Sequence, residues 1–244
     1  MITALRVRDF RLLWAARTVS VFGTWLLVVA VPAHVFHLTG SLLASGAALA
    51  AEFLPRVLLG PVAGVPADRW DRRRVMVAAD LLRAAAVLLL LLARDPGDLW
   101  LVYLALVVES AGTVVFRPAA QAHTPVVVGT GTALSGANAL NSLTDGVARL
   151  VGAPLGGALT ALVGFPALVV ADAVSYLVSA ACLWRVRDRE VPAAPFRTPR
   201  LHRVHAVADL GLYAVTFYND LDVDRRTLDA YAQFRDEAAA AHVR

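Results

Sequence analysis

Long apolar segments separated by short polar stretches dominate the chain as far as about residue 189. A helix needs about 20 mostly apolar residues to cross the roughly 30 Å hydrocarbon core of a bilayer, and six segments approach or exceed that length. These segments cover approximately residues 12–36, 42–63, 75–93, 99–116, 140–163 and 167–184. The pattern therefore predicts an all-α integral membrane domain, residues 1–189, with six transmembrane helices.

Most of the polar connections between these segments are short. The links at residues 37–41, 94–98 and 164–166 contain only a few residues each, whereas residues 118–139 form a longer predicted connection. Short links between consecutive helices place neighbours antiparallel. We therefore expect one compact helix bundle.

The second and fifth apolar segments share a pattern of charged, proline and glycine residues. The pattern is Glu52-x3-Arg56-x4-Pro61-x2-Gly64 in the first copy and, 93 positions later, Asp145-x3-Arg149-x4-Pro154-x2-Gly157. An Ala-Asp pair ending at Asp80 recurs at Asp172, 92 positions later, whereas the first and fourth segments show no such match. Because an odd number of crossings separates the copies, the repeats, about residues 12–93 and 99–184, are predicted to be inverted, as in secondary transporters.

Arginine residues are distributed unequally between the two sides of this predicted bundle. If the N-terminus is cytoplasmic, the opposite side carries only Arg94. The cytoplasmic side then carries Arg6, Arg8, Arg11, Arg69, Arg72, Arg73, Arg74, Arg117, Arg185, Arg187 and Arg189. Because positive residues accumulate in cytoplasmic loops, we expect a multi-pass protein of the cell (inner) membrane with both termini in the cytoplasm.

From about residue 190 the composition changes. Residues 191–205 contain proline and arginine, which is typical of an extended linker, and the apolar run at residues 206–217 is too short to span a bilayer. Residues 222–242 mix acidic and basic side chains, which is typical of a solvated helix. Residues 190–244 are therefore interpreted as a soluble cytoplasmic linker and tail without a seventh crossing.

Composition supports a membrane protein and argues against several other classes. Of the 244 residues, 58% are hydrophobic and the mean hydropathy is +0.62, whereas soluble domains average about 45–50% apolar residues. The net charge of +4 does not indicate nucleic-acid binding, because the arginines flank apolar segments instead of covering a polar face. The single Cys182 provides neither a disulfide framework nor metal-ligand spacing. We find no catalytic, metal or nucleotide motif, so we expect neither enzyme activity nor a cofactor.

The polar connection at residues 64–74, GVPADRWDRRR, carries a family resemblance. It is similar to the loop 2–3 motif of the major facilitator superfamily, G-x3-D-R/K-x-G-R-R/K-R/K. The matching residues are Gly64, Asp68, Arg69, Arg72, Arg73 and Arg74, and Asp71 replaces the usual second glycine. Short matches to the branch of macrolide-efflux and enterobactin-exporter carriers are DFRLLW at residues 9–14, LTGS at 38–41, ADLLR at 79–83, FRPA at 116–119 and NAL at 138–140.

This resemblance, over about residues 5–187, implies proton-coupled efflux of small amphipathic molecules such as drugs, by two six-helix halves that rock around a central site. The chain contains one such half, so we expect activity only as a homodimer or with a separately encoded second half. The implied partners are a small-molecule substrate, protons and the lipid bilayer. Two alternatives stay open, namely a truncated remnant that does not transport and a membrane anchor whose cytoplasmic tail binds a partner.

A gating role is the hypothesis for the motif at residues 64–74. Asp68 is expected at the cytoplasmic end of a helix, where it can pair with Arg72 or with the positive N-terminus of another helix. Such a contact can form in one state of a transporter and break in the other. The alternative is that the arginines only set the topology, which requires positive charge but neither Asp68 nor Gly64.

Small residues in the fifth segment resemble the Gly/Pro signature of superfamily antiporters. The matching residues are Gly152, Pro154, Gly156 and Gly157. Ala153 separates the usual Gly-Pro pair, which departs from the family pattern. Small residues let helices approach closely and proline permits a bend, which suits a gate. General packing between helices is the alternative explanation.

Ionisable residues within apolar segments are costly in a bilayer, so they normally pair or face a cavity. The candidates are Glu52, Arg56, Asp80, Arg83, Glu109, Asp145, Arg149 and Asp172. Helical spacing predicts the pairs Glu52–Arg56, Asp80–Arg83 and Asp145–Arg149.

Glu109 and Asp172 have no charged partner at helical spacing on their own segments. A buried carboxyl group without a partner is able to exchange a proton, so both are candidates for proton coupling. Pairing with Arg83 or Arg149 on another helix is the alternative. Thr24 occupies the place where related carriers often have an acid in the first helix.

Overall fold

The computed structural model describes residues 2–60 and 70–186, and the secondary structure of these residues is helical throughout. A single helical turn, Ile2–Leu5, comes first. The six long helices are α1 Arg8–Thr39, α2 Leu42–Leu59, α3 Arg72–Leu89, α4 Leu99–Val128, α5 Thr132–Val163 and α6 Phe165–Trp184. The 3₁₀ turn Leu90–Leu92 extends α3, and a second 3₁₀ turn, Pro96–Asp98, precedes α4.

All six long helices are long and apolar enough to cross a membrane. The six transmembrane segments predicted from the hydrophobic pattern are therefore confirmed. The predicted cytoplasmic tail and linker, residues 190–244, lie outside the described residues.

The fourth and fifth helices are longer than their apolar segments. The predicted connection at residues 118–139 is wrong, because α4 continues to Val128 and α5 begins at Thr132. The added residues mix polar and small apolar side chains and include Pro118 and Pro125, and the helices continue through them because a transmembrane helix does not have to end where its apolar segment ends. The remaining turn contains Gly129 and Gly131, with φ of 78° and 77°, values that glycine adopts without strain.

Local capping fixes where α2 and α3 begin. The Ser41 hydroxyl accepts a hydrogen bond from the backbone N–H of Ala44 at the start of α2. At the start of α3, Asp71 Oδ1 accepts from the backbone N–H of Arg74 at 2.8 Å. Both residues are favoured N-caps, so these helix starts follow directly from sequence.

Each repeat is packed mainly against the other. The first helix of one repeat, α1, lies against α5 and α6, and the first helix of the other, α4, lies against α2 and α3. The third helices, α3 and α6, contact each other. Exchanging α1–α3 with α4–α6 leaves this main set of contacts unchanged, which agrees with the predicted inverted repeat of three helices with three.

Equivalent contacts extend the repeat to the first and fourth helices, where the sequence shows no match. Arg17 of α1 pairs with Asp145 of α5, and Ser110 of α4 hydrogen-bonds to the backbone of Glu52 of α2. Arg17 and Ser110 lie 93 positions apart, as do Glu52 and Asp145. The two repeats therefore use the same register for their mutual contact, with different side chains.

Apolar side chains also cover the outer faces of α2 and α5. Leu43 of α2 is 84% exposed and Leu162 of α5 is 79% exposed, and neighbouring leucines and valines are exposed as well. Such faces are stable in contact with lipid or with another helix, because both environments avoid the free-energy cost of exposing apolar side chains to water.

Candidate functional site

The basic motif is described from Trp70 onwards, so Gly64, Asp68 and Arg69 lie outside the described residues. Asp71 stands where the family motif usually has its second glycine and acts as the N-cap of α3. The Arg74 side chain is 86% exposed, and its Nε lies 4.0 Å from Asp71 Oδ2. Asp71 therefore has a structural role that the resemblance alone does not give.

Two arginines of the motif contact the backbone of other helices. Arg72 donates from Nη1 to the carbonyl of Ala122 in α4 at 3.1 Å, and Arg73 donates from Nη2 to the carbonyl of Trp184 at 2.8 Å. Trp184 is the last residue of α6, where the helix dipole is negative and favours a cation. The start of α3 is thus attached to α4 and to the end of α6.

The Gly/Pro motif lies where α5 approaches α1. A Cβ atom added to Gly152 would lie 2.7 Å from Cβ of Trp25, and one added to Gly156 would overlap the backbone carbonyl of Leu26. Pro154 is exposed on another face, and the space around Gly157 is more open. Gly152 and Gly156 therefore allow a close helix crossing, as expected for small residues at a membrane helix interface.

The predicted pair Glu52–Arg56 is formed and extends to a third residue. Arg56 pairs with Glu52 one turn earlier in α2, and its Nη2 lies 3.7 Å from Oε2 of Glu109 in α4. Glu52 and Glu109 are 5% and 3% exposed. Glu109 thus lies near a cation on another helix, but this cation is Arg56 and not Arg83 or Arg149.

The predicted pair Asp80–Arg83 is also formed, at the contact of α3 with α6. Asp80 Oδ2 accepts from the hydroxyl of Ser179 at 2.5 Å. The Arg83 guanidinium lies between two aromatic rings, 4.5 Å from that of Phe116 and 4.4 Å from that of Tyr176. These ring contacts stabilise a buried cation in addition to its carboxylate.

Tyr176 of α6 links Glu109 of α4 to Thr24 of α1, and sequence analysis missed it. Its hydroxyl donates to Glu109 Oε1 at 2.7 Å and lies 2.8 Å from Thr24 Oγ1. The hydroxyl of Thr113 donates to the same Glu109 oxygen at 2.9 Å and accepts from Arg83 Nη1 at 3.3 Å. The available signal was spacing, because Tyr176 lies one helical turn after Asp172.

Asp172 is buried in α6 without an ion pair among the described residues. Its side chain is 1% exposed, and Oδ1 accepts from the hydroxyl of Ser175 at 3.1 Å. Gly23 of α1 lies against this carboxylate, since a Cβ there would overlap Oδ1. The other oxygen, Oδ2, has no hydrogen-bond partner in the described part of the chain.

A small cavity lies beside these residues. Its volume is about 20 Å³, which is enough for one water molecule. The polar lining consists of Thr24, Glu52, Glu109 and Asp172, and the remaining lining residues are apolar side chains of α1 to α4. Three of the predicted intramembrane acids therefore face one shared space.

The predicted pair Asp145–Arg149 is not formed. Asp145 Oδ2 instead lies 2.5 Å from Nη2 of Arg17 in α1 and 3.5 Å from Nη2 of Arg117 in α4. Arg149 lies over the ring of Trp25, 5.3 Å from its centroid. Helical spacing was misleading here, because α5 packs along α1 and a cation from that helix reaches the carboxylate.

Comparison with known proteins identifies relatives among transporters. Residues 1–212 match the family model described as transmembrane secretion effector. Macrolide efflux protein A of Streptococcus pyogenes is 36% identical over 121 residues, which are 49% of this chain and 30% of that protein. The MFS-type transporter YfiS of Bacillus subtilis is 30% identical over 173 residues, which are 70% of this chain and 40% of that protein.

A further MFS-type transporter of Bacillus subtilis, YvqJ, is 28% identical over 174 residues, which are 70% of this chain and 41% of that protein. The chain thus spans less than half the length of the curated relatives that it matches.

Proposed function

Because this chain belongs to the transmembrane secretion effector family, within the efflux branch of the major facilitator superfamily, we propose that it takes part in proton-coupled efflux of small amphipathic molecules. The observation that carries this proposal is the cavity faced by Glu52, Glu109 and Asp172. Buried acids are costly inside a membrane, and an excess of them over cations is typical of proton relays.

Glu109 and Asp172 are the proposed proton-binding residues. Asp172 has no ion pair among the described residues, and Glu109 shares Arg56 with Glu52. An acid in such a position binds and releases a proton when the site is opened to water on one side and then on the other. The hydrogen bonds of Tyr176 join Glu109 to Thr24 of α1. A change in the protonation of Glu109 is therefore transmitted to α1.

The proposed substrate class rests on the relatives. Macrolide efflux protein A is named for the export of macrolides, which combine a large apolar ring with polar groups. We therefore propose drug-like amphipathic molecules as substrates of the complete transporter. The cavity of about 20 Å³ is far too small for such a molecule and is proposed to serve the proton instead.

A second six-helix half is proposed to complete the substrate site. Transporters of this superfamily bind substrate at the interface between two halves. The exposed apolar side chains of α2 and α5, such as Leu43 and Leu162, support a helix–helix surface on these faces. A separately encoded half or a second copy of this chain would fit that requirement.

The proposed location is the cell membrane, with both ends of the six-helix domain in the cytoplasm. The proposed gating contact is that of Asp68 with Arg72 or with the N-terminus of another helix. The backbone contacts of Arg72 and Arg73 support this role, because they attach the start of α3 to α4 and α6 and would have to change if these helices move.

Efflux measurements in whole cells test this function. The chain is produced in bacteria that lack their own drug exporters, either alone or together with the part of YfiS that lies outside the matched segment. Efflux of a macrolide and of a lipophilic fluorescent dye is followed with and without a protonophore. We expect efflux that the protonophore abolishes and that Glu109→Gln and Asp172→Asn strongly reduce.

The matched control is Gly97→Ala, because the added methyl group enters open space in the connection before α4, away from the cavity and from the exposed faces of α2 and α5. This variant is expected to retain efflux. If neither form exports either compound although the chain is present in the membrane, the proposal fails, and a non-transporting remnant or a membrane anchor becomes the better explanation.

A further inference from the structure

Arg149 is an exposed cation in the middle of α5 that has no carboxylate partner among the described residues. At 1.5 Å per residue it lies about 20 Å or more from either end of this helix. The acid one turn earlier, Asp145, is instead paired with Arg17 and lies 3.5 Å from Arg117. The Arg149 guanidinium lies over the ring of Trp25 in α1, 5.3 Å from its centroid. An arginine inside a membrane segment is costly without a partner, so this one indicates a binding site.

The equivalent arginine of the other repeat does not share this property. Arg56 lies 93 positions before Arg149 and pairs with Glu52, and its Nη2 lies 3.7 Å from Oε2 of Glu109. The Arg56 side chain is only 15% exposed, whereas Arg149 is exposed. The same fold thus satisfies an arginine at this register internally in one repeat and leaves the other accessible to an external anion.

A stripe of polar and small residues runs along α5 from its first turn to Arg149. Its exposed members, at intervals of three or four residues, are Ser135, Asn138, Ser142, Gly146 and Arg149. A Cβ atom added to Gly146 would meet no atom within 4 Å, so open space lies one turn from Arg149. Exposed apolar residues such as Val147 and Leu162 lie more than about a quarter turn around the helix from this stripe. Polar groups within a membrane normally face a water-filled cavity, so the stripe indicates the cavity side of α5.

The chemistry of the two side chains at the end of the stripe defines the ligand that they fit. A guanidinium binds a carboxylate through two parallel hydrogen bonds, and the Trp25 ring offers an apolar surface beside it. A lipid headgroup fits less well, because the surface of the hydrocarbon core is about 15 Å from its middle. The site therefore favours an anion that enters the cavity and carries its own apolar part.

We propose that Arg149, together with Trp25, binds the acid group of the exported molecule, so that amphipathic carboxylic acids are the preferred substrate class. The proposal rests on the proposed function, because it assigns a charge to the molecules that the complete transporter exports. It adds a recognition site on α1 and α5 that is separate from the cavity faced by Glu52, Glu109 and Asp172.

Binding of two matched probes to the purified full chain tests this preference without requiring transport. Naphthylacetate carries a carboxylate that is ionised at neutral pH, and naphthylacetamide is its uncharged counterpart. Equilibrium dialysis against nanodiscs of phosphatidylcholine measures both affinities, and empty nanodiscs give the background. We expect the acid to bind about tenfold more tightly than the amide, because its hydrogen bonds to the guanidinium are charge-assisted.

Three variants assign this preference to the guanidinium. Arg149→Gln should bind the two probes equally, because it removes the charge. Arg149→Lys should retain part of the preference, because the charge remains but the planar fork is lost. The matched control is Arg94→Gln, which removes an exposed arginine from the connection before α4 and should bind both probes like the wild type. Gel filtration and circular dichroism confirm that each variant is folded.

Equal affinity of the wild-type chain for the two probes would overturn the proposal, as would a preference that survives in Arg149→Gln. A lysine variant without any preference would also contradict recognition by charge.

Two further measurements identify the source of the anion. If phosphatidylglycerol in the nanodiscs abolishes the preference, a lipid headgroup occupies the site. If co-production with the part of YfiS outside the matched segment abolishes it, a carboxylate of that part does. Either result would overturn the assignment to the exported molecule, and an unchanged preference supports it.

The outcomes for this site and for the proposed function are distinguishable. A chain that prefers the acid but supports no efflux would contradict the proposed function and leave the binding site in place. Efflux by a chain without this preference would do the reverse.

Discussion

Gly156 is the residue at which α5 comes closest to α1. A side chain there would meet the carbonyl of Leu26, which belongs to the backbone and cannot rotate away. We expect Gly156→Ala to destabilise the protein by about 1–3 kcal/mol through overpacking. The thermal unfolding midpoint of the purified chain in detergent measures this loss.

Gly146→Ala is the matched control for this prediction. It makes the same substitution in the same helix, but the added methyl group meets no atom within 4 Å. Alanine is favoured over glycine in a helix by roughly 1 kcal/mol, so this variant should be as stable as the wild type or more so. Equal stability of the two variants would show that the α1–α5 contact accommodates the added methyl group without a loss of stability.

Arg83 is expected to be the most sensitive residue of the α3–α6 contact. Replacing it by glutamine leaves the buried carboxylate of Asp80 without its cation, which costs about 3–5 kcal/mol for a buried pair. The double variant Asp80→Asn/Arg83→Gln removes both charges and should regain much of the loss. Thermal unfolding of the single and double variants measures the difference, and an additive loss would contradict a direct pair.

At this scale the sequence predicts pairs within a helix better than pairs between helices. Glu52–Arg56 and Asp80–Arg83 follow from helical spacing, and the structure forms both. The partner of Asp145 comes from another helix, and nothing in the spacing along α5 points to Arg17. Tyr176 was missed for the same reason, because its role depends on contacts with Thr24 and Glu109 across three helices.

The start of α3 offers a prediction about a single element. Asp71 caps this helix through the backbone N–H of Arg74. Asp71→Ala should cost about 1 kcal/mol, whereas Asp71→Gly, which restores the residue usual in the family motif, should cost only a few tenths. Hydrogen exchange of the first turn of α3 should therefore accelerate about fivefold in the alanine variant and much less in the glycine variant.

An equal acceleration in both variants would show that the carboxylate acts by charge and not as a cap. The serine variant Asp71→Ser separates these explanations further, because serine caps a helix without a charge. In the serine variant, the amide hydrogens of the first turn of α3 should exchange at the wild-type rate.

Helix ends were predicted correctly where the apolar segment and the helix begin or end together, and incorrectly where the helix continues beyond its apolar segment. The start of α2 at Leu42 agrees with the predicted start of its apolar segment, and Ser41 caps it. The end of α4 and the start of α5 were misplaced because hydropathy reports only the part of a helix that suits the hydrocarbon core. Both helices continue beyond it, to the turn at Gly129 and Gly131.

The proposed orientation is a property of the whole molecule and can be tested by labelling. Gly97 and Thr130 are both exposed and lie in connections at opposite ends of the bundle. In a Cys182→Ser background, Gly97→Cys should react with a membrane-impermeant maleimide in intact cells. Thr130→Cys should react only after the membrane is permeabilised, and the reverse result would place the N-terminus outside.

The mutual packing of the two repeats has a consequence for biosynthesis. Because α1 makes its main contacts with α5 and α6, and α2 makes its own with α4, the first three helices leave the ribosome before their principal partners exist. Long-range contacts of this kind form late, and the surfaces that await them are exposed in the meantime. The glycines of α5 meet α1 once the fifth helix is inserted, whereas the carboxylate of Asp172 reaches its position only with the sixth. The nascent chain has to be protected from membrane quality control until then, which makes α6 the segment that completes the domain.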